Sequence, residues 1–167
     1  MGEKALLVYM KKCTGCLMCE IVCSLQHTGV CNPAQSRINV MKWEEDGINV
    51  PFMCQNCEDP LCAQVCPMSC IEKDEETGVM KTYYEKCIGC KMCIVACPIG
   101  GTTFDPVEKK VIRCDFCGGD PQCVKICPTN AIVFGDIDRM AIEKKRRVIE
   151  LFVDSLRTSA YDLEGGV

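Results

Sequence analysis

Cys87-Ile-Gly-Cys90-Lys-Met-Cys93-Ile-Val-Ala-Cys97-Pro98 is the stretch that decides how the rest of the chain is read. It sets four thiols in a C-x2-C-x2-C-x3-C-P spacing, and variants of it occur three more times. Cys13-Thr-Gly-Cys16-Leu-Met-Cys19-Glu-Ile-Val-Cys23 matches it, except that Ser24 replaces the closing proline. Cys54-Gln-Asn-Cys57 is followed, four residues on, by Cys62-Ala-Gln-Val-Cys66-Pro67. Cys114-Asp-Phe-Cys117 is followed, five residues on, by Cys123-Val-Lys-Ile-Cys127-Pro128. The chain has 18 cysteines, and these four runs leave only Cys31 and Cys70 over.

The third and fourth cysteines of every run are four apart, which on a helix places both sulfurs on one face, about 5–6 Å apart at Cβ. The first two lie on the preceding loop, and proline ends the helix in three of the four runs. In the first run the helix is free to continue through Leu25 until Thr28-Gly29 stops it. Asp59-Pro60 and Asp120-Pro121 stand before Cys62 and Cys123, a pattern that predicts Asp as N-cap and Pro as first helical residue. Gly15 and Gly89, each before the second cysteine, let the loop take positive φ and turn its amides inward.

With 167 residues, and cysteine supplying much of the apolar fraction, an ordinary aliphatic core would be thin. Disulfides, zinc or an iron–sulfur group could make up the deficit. The N-terminal stretch shows no signal-peptide pattern, and no run reaches the roughly 18 apolar residues of a membrane span. The expected setting is therefore the reducing cytoplasm, where structural disulfides are rare. Structural zinc usually takes two separated C-x2–4-C pairs, whereas a third cysteine two residues on and a fourth before Pro match iron–sulfur ligation. The formal charge of −4 counts thiols as neutral. Ligation would make the protein more acidic, by about −2 per oxidised cluster, which argues against a nucleic-acid partner.

Between the runs the chain reads as short strands. Ala5–Tyr9 is one. Arg37–Trp43 and Ile48–Phe52 flank a Gly47 turn, Ile71–Asp74 and Val79–Thr82 flank Glu75-Glu76-Thr77-Gly78, and Thr103-Phe104 and Lys110–Arg113 flank Asp105-Pro106: three hairpins. Leu17, Met18, Ile21, Val22, Ile88, Met92, Ile94, Val95, Phe116, Val124 and Ile126 interleave with the cysteines and are expected to shield them from water. From Asp138 to Leu156 the pattern is helical, with Ile142, Ile149, Phe152 and Leu156 on one face. Lys144-Lys145-Arg146-Arg147 beside them is a solvated face or a dock for an acidic partner.

With four such runs, residues 4–135 resemble the four-cluster electron-transfer B subunits of dimethyl-sulfoxide-reductase-type molybdenum and tungsten oxidoreductases. The Thr28–Ile38 spacer and the length are similar to small subunits of tungsten aldehyde-oxidoreductase and benzoyl-CoA-reductase complexes. The resemblance implies an α+β fold of two bacterial-ferredoxin-like bicluster modules with short helices and β-hairpins, plus a C-terminal helix. Its division is 1–135 as a polyferredoxin domain and 136–167 as a docking helix and tail. The resemblance also implies nested pairing, run 13–23 with 114–127 and run 54–66 with 87–97; spacing alone fits sequential pairing equally well. Nested, four [4Fe–4S] clusters are held by Cys13, Cys16, Cys19 and Cys127; by Cys23, Cys114, Cys117 and Cys123; by Cys54, Cys57, Cys62 and Cys97; and by Cys66, Cys87, Cys90 and Cys93.

No nucleophile–base pair or open metal position is visible, so the expected role is non-catalytic. Single electrons would pass between a large tungsten- or molybdenum-pterin subunit and a flavin or NAD-linked subunit or ferredoxin, within a hetero-oligomer. A freestanding polyferredoxin is the rival reading. Cys31 and Cys70 are expected to be small buried hydrophobes rather than ligands, His27 a polar helix-end residue, and Trp43 a cross-hairpin contact or an interface anchor.

Overall fold

The computed structural model describes residues 4–139 together with 141, 142, 145, 146 and 149. In chain order the elements are β1 (Lys4–Val8), α1 (Met18–Thr28), β2 (Ile38–Trp43), β3 (Ile48–Met53), α2 (Leu61–Gln64), β4 (Ile71–Lys73), β5 (Met80–Thr82), α3 (Met92–Val95), β6 (Thr102–Asp105), β7 (Lys110–Arg113), α4 (Gln122–Ile126) and β8 (Ile132–Asp136). The strands form two-stranded antiparallel ribbons: β2–β3, β4–β5, β6–β7 and, joining the two ends of this region, β1–β8.

The three hairpins form where alternation and turn residues predict them, with Ile38 opposite Met53, Ile71 opposite Thr82 and Thr102 opposite Arg113. β8 is not foreseen by the sequence reading. It pairs with β1 from Lys4↔Asp136 to Val8↔Ile132, one residue past the expected boundary at 135. Its Phe134 ring stacks at 5.2 Å on Phe116. Helical backbone resumes at Ile137 and recurs at 141, 142, 145, 146 and 149. The rest of the expected C-terminal helix, with Lys144, Arg147, Phe152 and Leu156, lies outside the described residues.

Two apolar clusters result. One gathers Leu6, Ile38, Met53, Phe116 and Ile132 around Cys19, Cys23, Cys54, Cys114 and Cys123. The other gathers Ile71, Met80 and Val111 around Cys70 and Cys93. Burying Ile38, Met53 or Ile132 contributes about 1.5–3 kcal/mol each. Much of the remaining interior is sulfur, in keeping with the thin aliphatic core expected from composition. α1 packs on α4 and α2 on α3, which brings the first cysteine run to the fourth and the second to the third.

Several local expectations need correction. Only α1 carries both its cysteines, Cys19 and Cys23, within the helix; it runs to Thr28 and ends at Gly29, φ 73°. α2 and α3 stop before Cys66 and Cys97, and Cys127 caps α4 in extended geometry, because proline removes the preceding residue from helical space. Pro60 and Pro121 occupy the N-cap positions themselves. Asp59 and Asp120 instead accept from the side chains of Gln64 and of Gln122 and Lys125. Ile21, Val95 and Ile126 are exposed rather than shielding, Val95 to 80%, whereas Met18, Ile88 and Met92 are partly exposed yet border the thiol-lined cavities as expected. A small chain lacks the volume to cover both faces of such short helices. Cys31 is exposed, not a buried hydrophobe, and Trp43, 51% exposed at the end of its hairpin, faces solvent.

Candidate metal centres

Every cysteine run bends its backbone the same way. The residue before the second cysteine has positive φ in all four: Gly15 at 68°, Asn56 at 49°, Gly89 at 68° and Phe116 at 55°. Glycine takes this conformation freely, whereas a buried Phe does so only where the surroundings over-determine it. At Phe116 that constraint is visible: the ring is 3% exposed and packed on Phe134.

A second repeated turn follows the three Cys-Pro pairs. Ser69, Gly100 and Asn130, each three residues past the cysteine, have positive φ. That turn aims backbone N–H groups back at the sulfur. Ala131 N–H donates to Cys127 Sγ at 3.3 Å and Cys70 N–H to Cys66 Sγ at 3.5 Å. Burial pushes these thiols up, but the donors outweigh it. Cys66, Cys97 and Cys127 are all held below the ordinary thiol range, Cys97 by the N–H groups of Ile99, Gly101, Thr102 and Gly100. The next residue is Cys70, Gly101 or Ala131, small in each case. At Gly101 the need is absolute, since a Cβ there would sit 2.7 Å from Cys54 Cα. Cys23 lacks the proline turn and instead accepts from Arg37 N–H at 3.3 Å.

Three small cavities are each bordered by four of the predicted cysteines. Cys13, Cys16, Cys19 and Cys127 line one, with Leu17, Val40 and Ile132. Cys23, Cys114, Cys117 and Cys123 line the next, with Leu6, Ile38 and Met53. Cys66, Cys87, Cys90 and Cys93 line the third, together with Cys70. In each, three thiols come from one run and the fourth from another. Cys57 and Cys62 lie close enough to Cys54 to add to the upward push that burial gives its thiol. The loop after Cys97 reaches them through the contact of Gly101 with Cys54. A separate cavity of about 1030 Å³ touches no cysteine; it is an open groove between the β4–β5 ribbon, Asp115 and Phe134.

The donor set suits an iron–sulfur group: at least four cysteine sulfurs per cavity, all free thiols. Burial first pushes Cys19 and Cys123 up to about 12 and Cys114 higher still, helped by the Glu20 carboxylate at Cys19 and by neighbouring thiols at Cys123 and Cys114. Such groups become thiolates when a bound cation supplies the compensating charge. Cys16 and Cys90, second in their runs, are exposed and bring two of the cavities to the surface.

Sequence reasoning missed the polar groups around the sulfurs. His27, in the last turn of α1 as expected, has Nε2 3.5 Å from Asp115 Oδ1 and 3.8 Å from Cys117 Sγ. Burial, then Arg37, hold its imidazole below the usual range against the pull of Asp115. Arg37 pairs with Asp115, whose Oδ1 accepts from Cys117 N–H at 3.0 Å. Arg113 Nη1 donates to Cys62 Sγ at 3.4 Å.

Loops of this design, wrapped around cavities each bordered by at least four cysteines, define a ferredoxin-type iron–sulfur protein. Within that class the chain belongs to the 4Fe–4S dicluster domain family, whose model matches residues 45–137. It is similar to the polyferredoxin-like subunit of aliphatic sulfonate oxidoreductase of Pyrococcus furiosus, 45% identical over 123 residues, 73% of this chain and 70% of that one. It is also similar to the electron transport protein HydN of Escherichia coli, 34% identical over 84% of this chain and 94% of the relative. The B subunit of the anaerobic dimethyl sulfoxide reductase of Escherichia coli is 32% identical over 77% of this chain and 71% of its own length. The protein is an iron–sulfur electron-transfer subunit, and its cofactor is the [4Fe–4S] cluster. No helix among the described residues is long and apolar enough to cross a membrane.

Proposed function

We propose that the chain carries four [4Fe–4S] clusters in two bicluster modules and relays single electrons, without chemistry of its own. It would work in the cytoplasm between a large tungsten- or molybdenum-pterin subunit of aldehyde-oxidoreductase type and a flavin or NAD-linked subunit or ferredoxin. The ligand sets are Cys13, Cys16, Cys19 and Cys127; Cys23, Cys114, Cys117 and Cys123; Cys54, Cys57, Cys62 and Cys97; and Cys66, Cys87, Cys90 and Cys93. The observation that carries this is the lining of the three cavities, each by three thiols of one run and one of its nested partner.

When bound, a cluster closed by four thiolates moves one electron at a time between two adjacent oxidation states. The protein's residues do the rest. The positive-φ loops hold three sulfurs in place, and the fourth comes from the other run with its own N–H donors, on the proline turn for Cys66, Cys97 and Cys127 and from Arg37 for Cys23. Leu6, Ile38, Met53 and Ile132 exclude water from the two outer sets. The exposed Cys16 and Cys90 lie in opposite modules and offer two points of entry and exit. Residues 136–167 we assign to docking.

Anaerobic purification from the native host tests the reading. The full chain should hold about sixteen irons and come away with a pterin-containing large subunit. Cys127→Ala should remove the cluster of Cys13, Cys16 and Cys19, not that of its own run. A chain ending after Arg139 keeps β8 and should lose the large subunit. If it co-purifies with none even at full length, the freestanding carrier replaces the subunit reading.

A further inference from the structure

Arg113 ends β7 with its side chain inside the protein, 4% exposed. Nη1 donates to Cys62 Sγ at 3.4 Å, but Nε and Nη2 are buried without an acceptor. The same side chain borders the cavity of Cys66, Cys87, Cys90 and Cys93. It therefore stands between the two thiol sets of the second and third runs. Guanidinium keeps its proton in proteins, so a full positive charge is fixed there. An uncompensated buried charge is strongly unfavourable, and none of the ion pairs found among the described residues involves Arg113.

The other orphaned groups gather at the same place. The only further buried side-chain polar atoms without a partner among the described residues are Thr82 Oγ1 and Thr102 Oγ1. Thr82 borders the same cavity as Arg113. Thr102 is the β6 partner of Arg113, and its N–H donates to Cys97. The outer sets look different. Arg37, which borders the cavity of Cys23, Cys114, Cys117 and Cys123, is already neutralised by Asp115, and among the described residues no arginine borders the cavity of Cys13, Cys16, Cys19 and Cys127.

We infer that Arg113 is a fixed countercharge for the two clusters of the second and third runs and raises their reduction potentials. The inference rests on the ligand sets proposed above. A cluster with four thiolates becomes more negative by one unit on reduction, and no proton need accompany the electron. A buried cation beside it stabilises the reduced form more than the oxidised one. Because Arg37 is paired, the outer clusters receive no comparable push, and electrons settle on the middle pair.

An EPR-monitored redox titration of the anaerobic full chain tests this, comparing wild type with Arg113→Met and Arg113→Lys. In R113M two couples should move down, so that at fixed poise their reduced-to-oxidised ratio falls about tenfold, ~59 mV for a one-electron couple. The other two should stay in place, and R113K should keep most of the wild-type value. Four unmoved couples, or four moved equally, overturn the inference. If R113M cannot hold its iron, loss confined to the two bordered clusters, with R113K intact, supports it, and uniform loss overturns it. An iron count well short of about sixteen in the wild type defeats the ligand sets instead, a separate result.

Discussion

Replacing Gly101 by alanine introduces one methyl group where two backbone segments meet. The new Cβ would lie 2.7 Å from Cys54 Cα and 2.8 Å from both Cys54 N and Met53 O. Optimal carbon contacts are about 3.5–4.0 Å, so the strands must separate by close to ~1 Å. None of the three atoms can rotate away, and Met53, 1% exposed, anchors its strand. Overpacking of this kind costs about 1–3 kcal/mol, or roughly 2–12 °C in Tm for a chain of this size. The displacement also exceeds the ~0.2 Å tolerance of metal–ligand distances. The protein should therefore lose the cluster of Cys54, Cys57, Cys62 and Cys97, and iron should fall from about sixteen to about twelve. Gly89→Ala is the control. Gly89 has φ 68° but open space around it, so the variant pays only ~1–2 kcal/mol for left-handed backbone and keeps its iron. Iron analysis, visible absorbance and thermal melts of both variants decide the matter. A G101A protein with full iron and wild-type Tm, or a G89A protein the more damaged of the two, refutes the reasoning.

Asn56→Ala removes the acceptor of Met80 N–H, 2.8 Å away, and the donor to Cys114 C=O; denaturant titration should show a loss of about 1–3 kcal/mol. Asn56→Gly keeps the positive φ easy and should be the less damaging by ~1 kcal/mol. Asp105 is 2% exposed and accepts from Gln35 Nε2 at 3.0 Å and Val107 N–H at 2.8 Å. Burial pushes its carboxyl up, but Gln35 and the N–H groups of Glu108 and Val107 prevail and hold it below its ordinary 3.8. Its stabilisation is thus complete above that value and lost only as pH falls through the lower folded one. Asp105→Asn should cost ~1–3 kcal/mol, unchanged between pH 8 and 5 in denaturant midpoints. Cys31→Ser and Cys70→Ala should each leave the iron content unaltered, although Cys70 Sγ lies 3.4 Å from Cys66 Sγ; loss of about four irons from either would make it a ligand.

What the sequence disclosed is what local chemistry determines. The hairpins at 38–53 and 71–82 were legible because alternation and a turn lie within a few residues of each other. The stop at Gly29 and the positive φ of Gly15 and Gly89 were legible because glycine has few other uses beside a cysteine. β8 was not: Ala131-Ile-Val-Phe134 is a four-residue apolar run whose partner, β1, lies at the far end of the chain. Phe116 at positive φ went unforeseen because no propensity favours it, and only tertiary packing imposes it. Arg113 reads locally as the polar end of an edge strand. Its burial depends on how β7 meets the second cysteine run, which spacing does not encode. The same limit applies to the cysteines: spacing located the runs, but which run faces which is a matter of topology.

The pairing of β1 with β8 has a consequence for biosynthesis. Thiols 13, 16 and 19 leave the ribosome more than a hundred residues ahead of Cys127, with which they share a cavity. Synthesis must pass residue 127 before that outer pocket exists, while the pocket of Cys66, Cys87, Cys90 and Cys93 can close once β7, with Val111 and Arg113, has emerged. Iron delivery should therefore proceed from the centre of the polypeptide outwards, and nascent chains stalled before residue 127 should carry metal only in the middle.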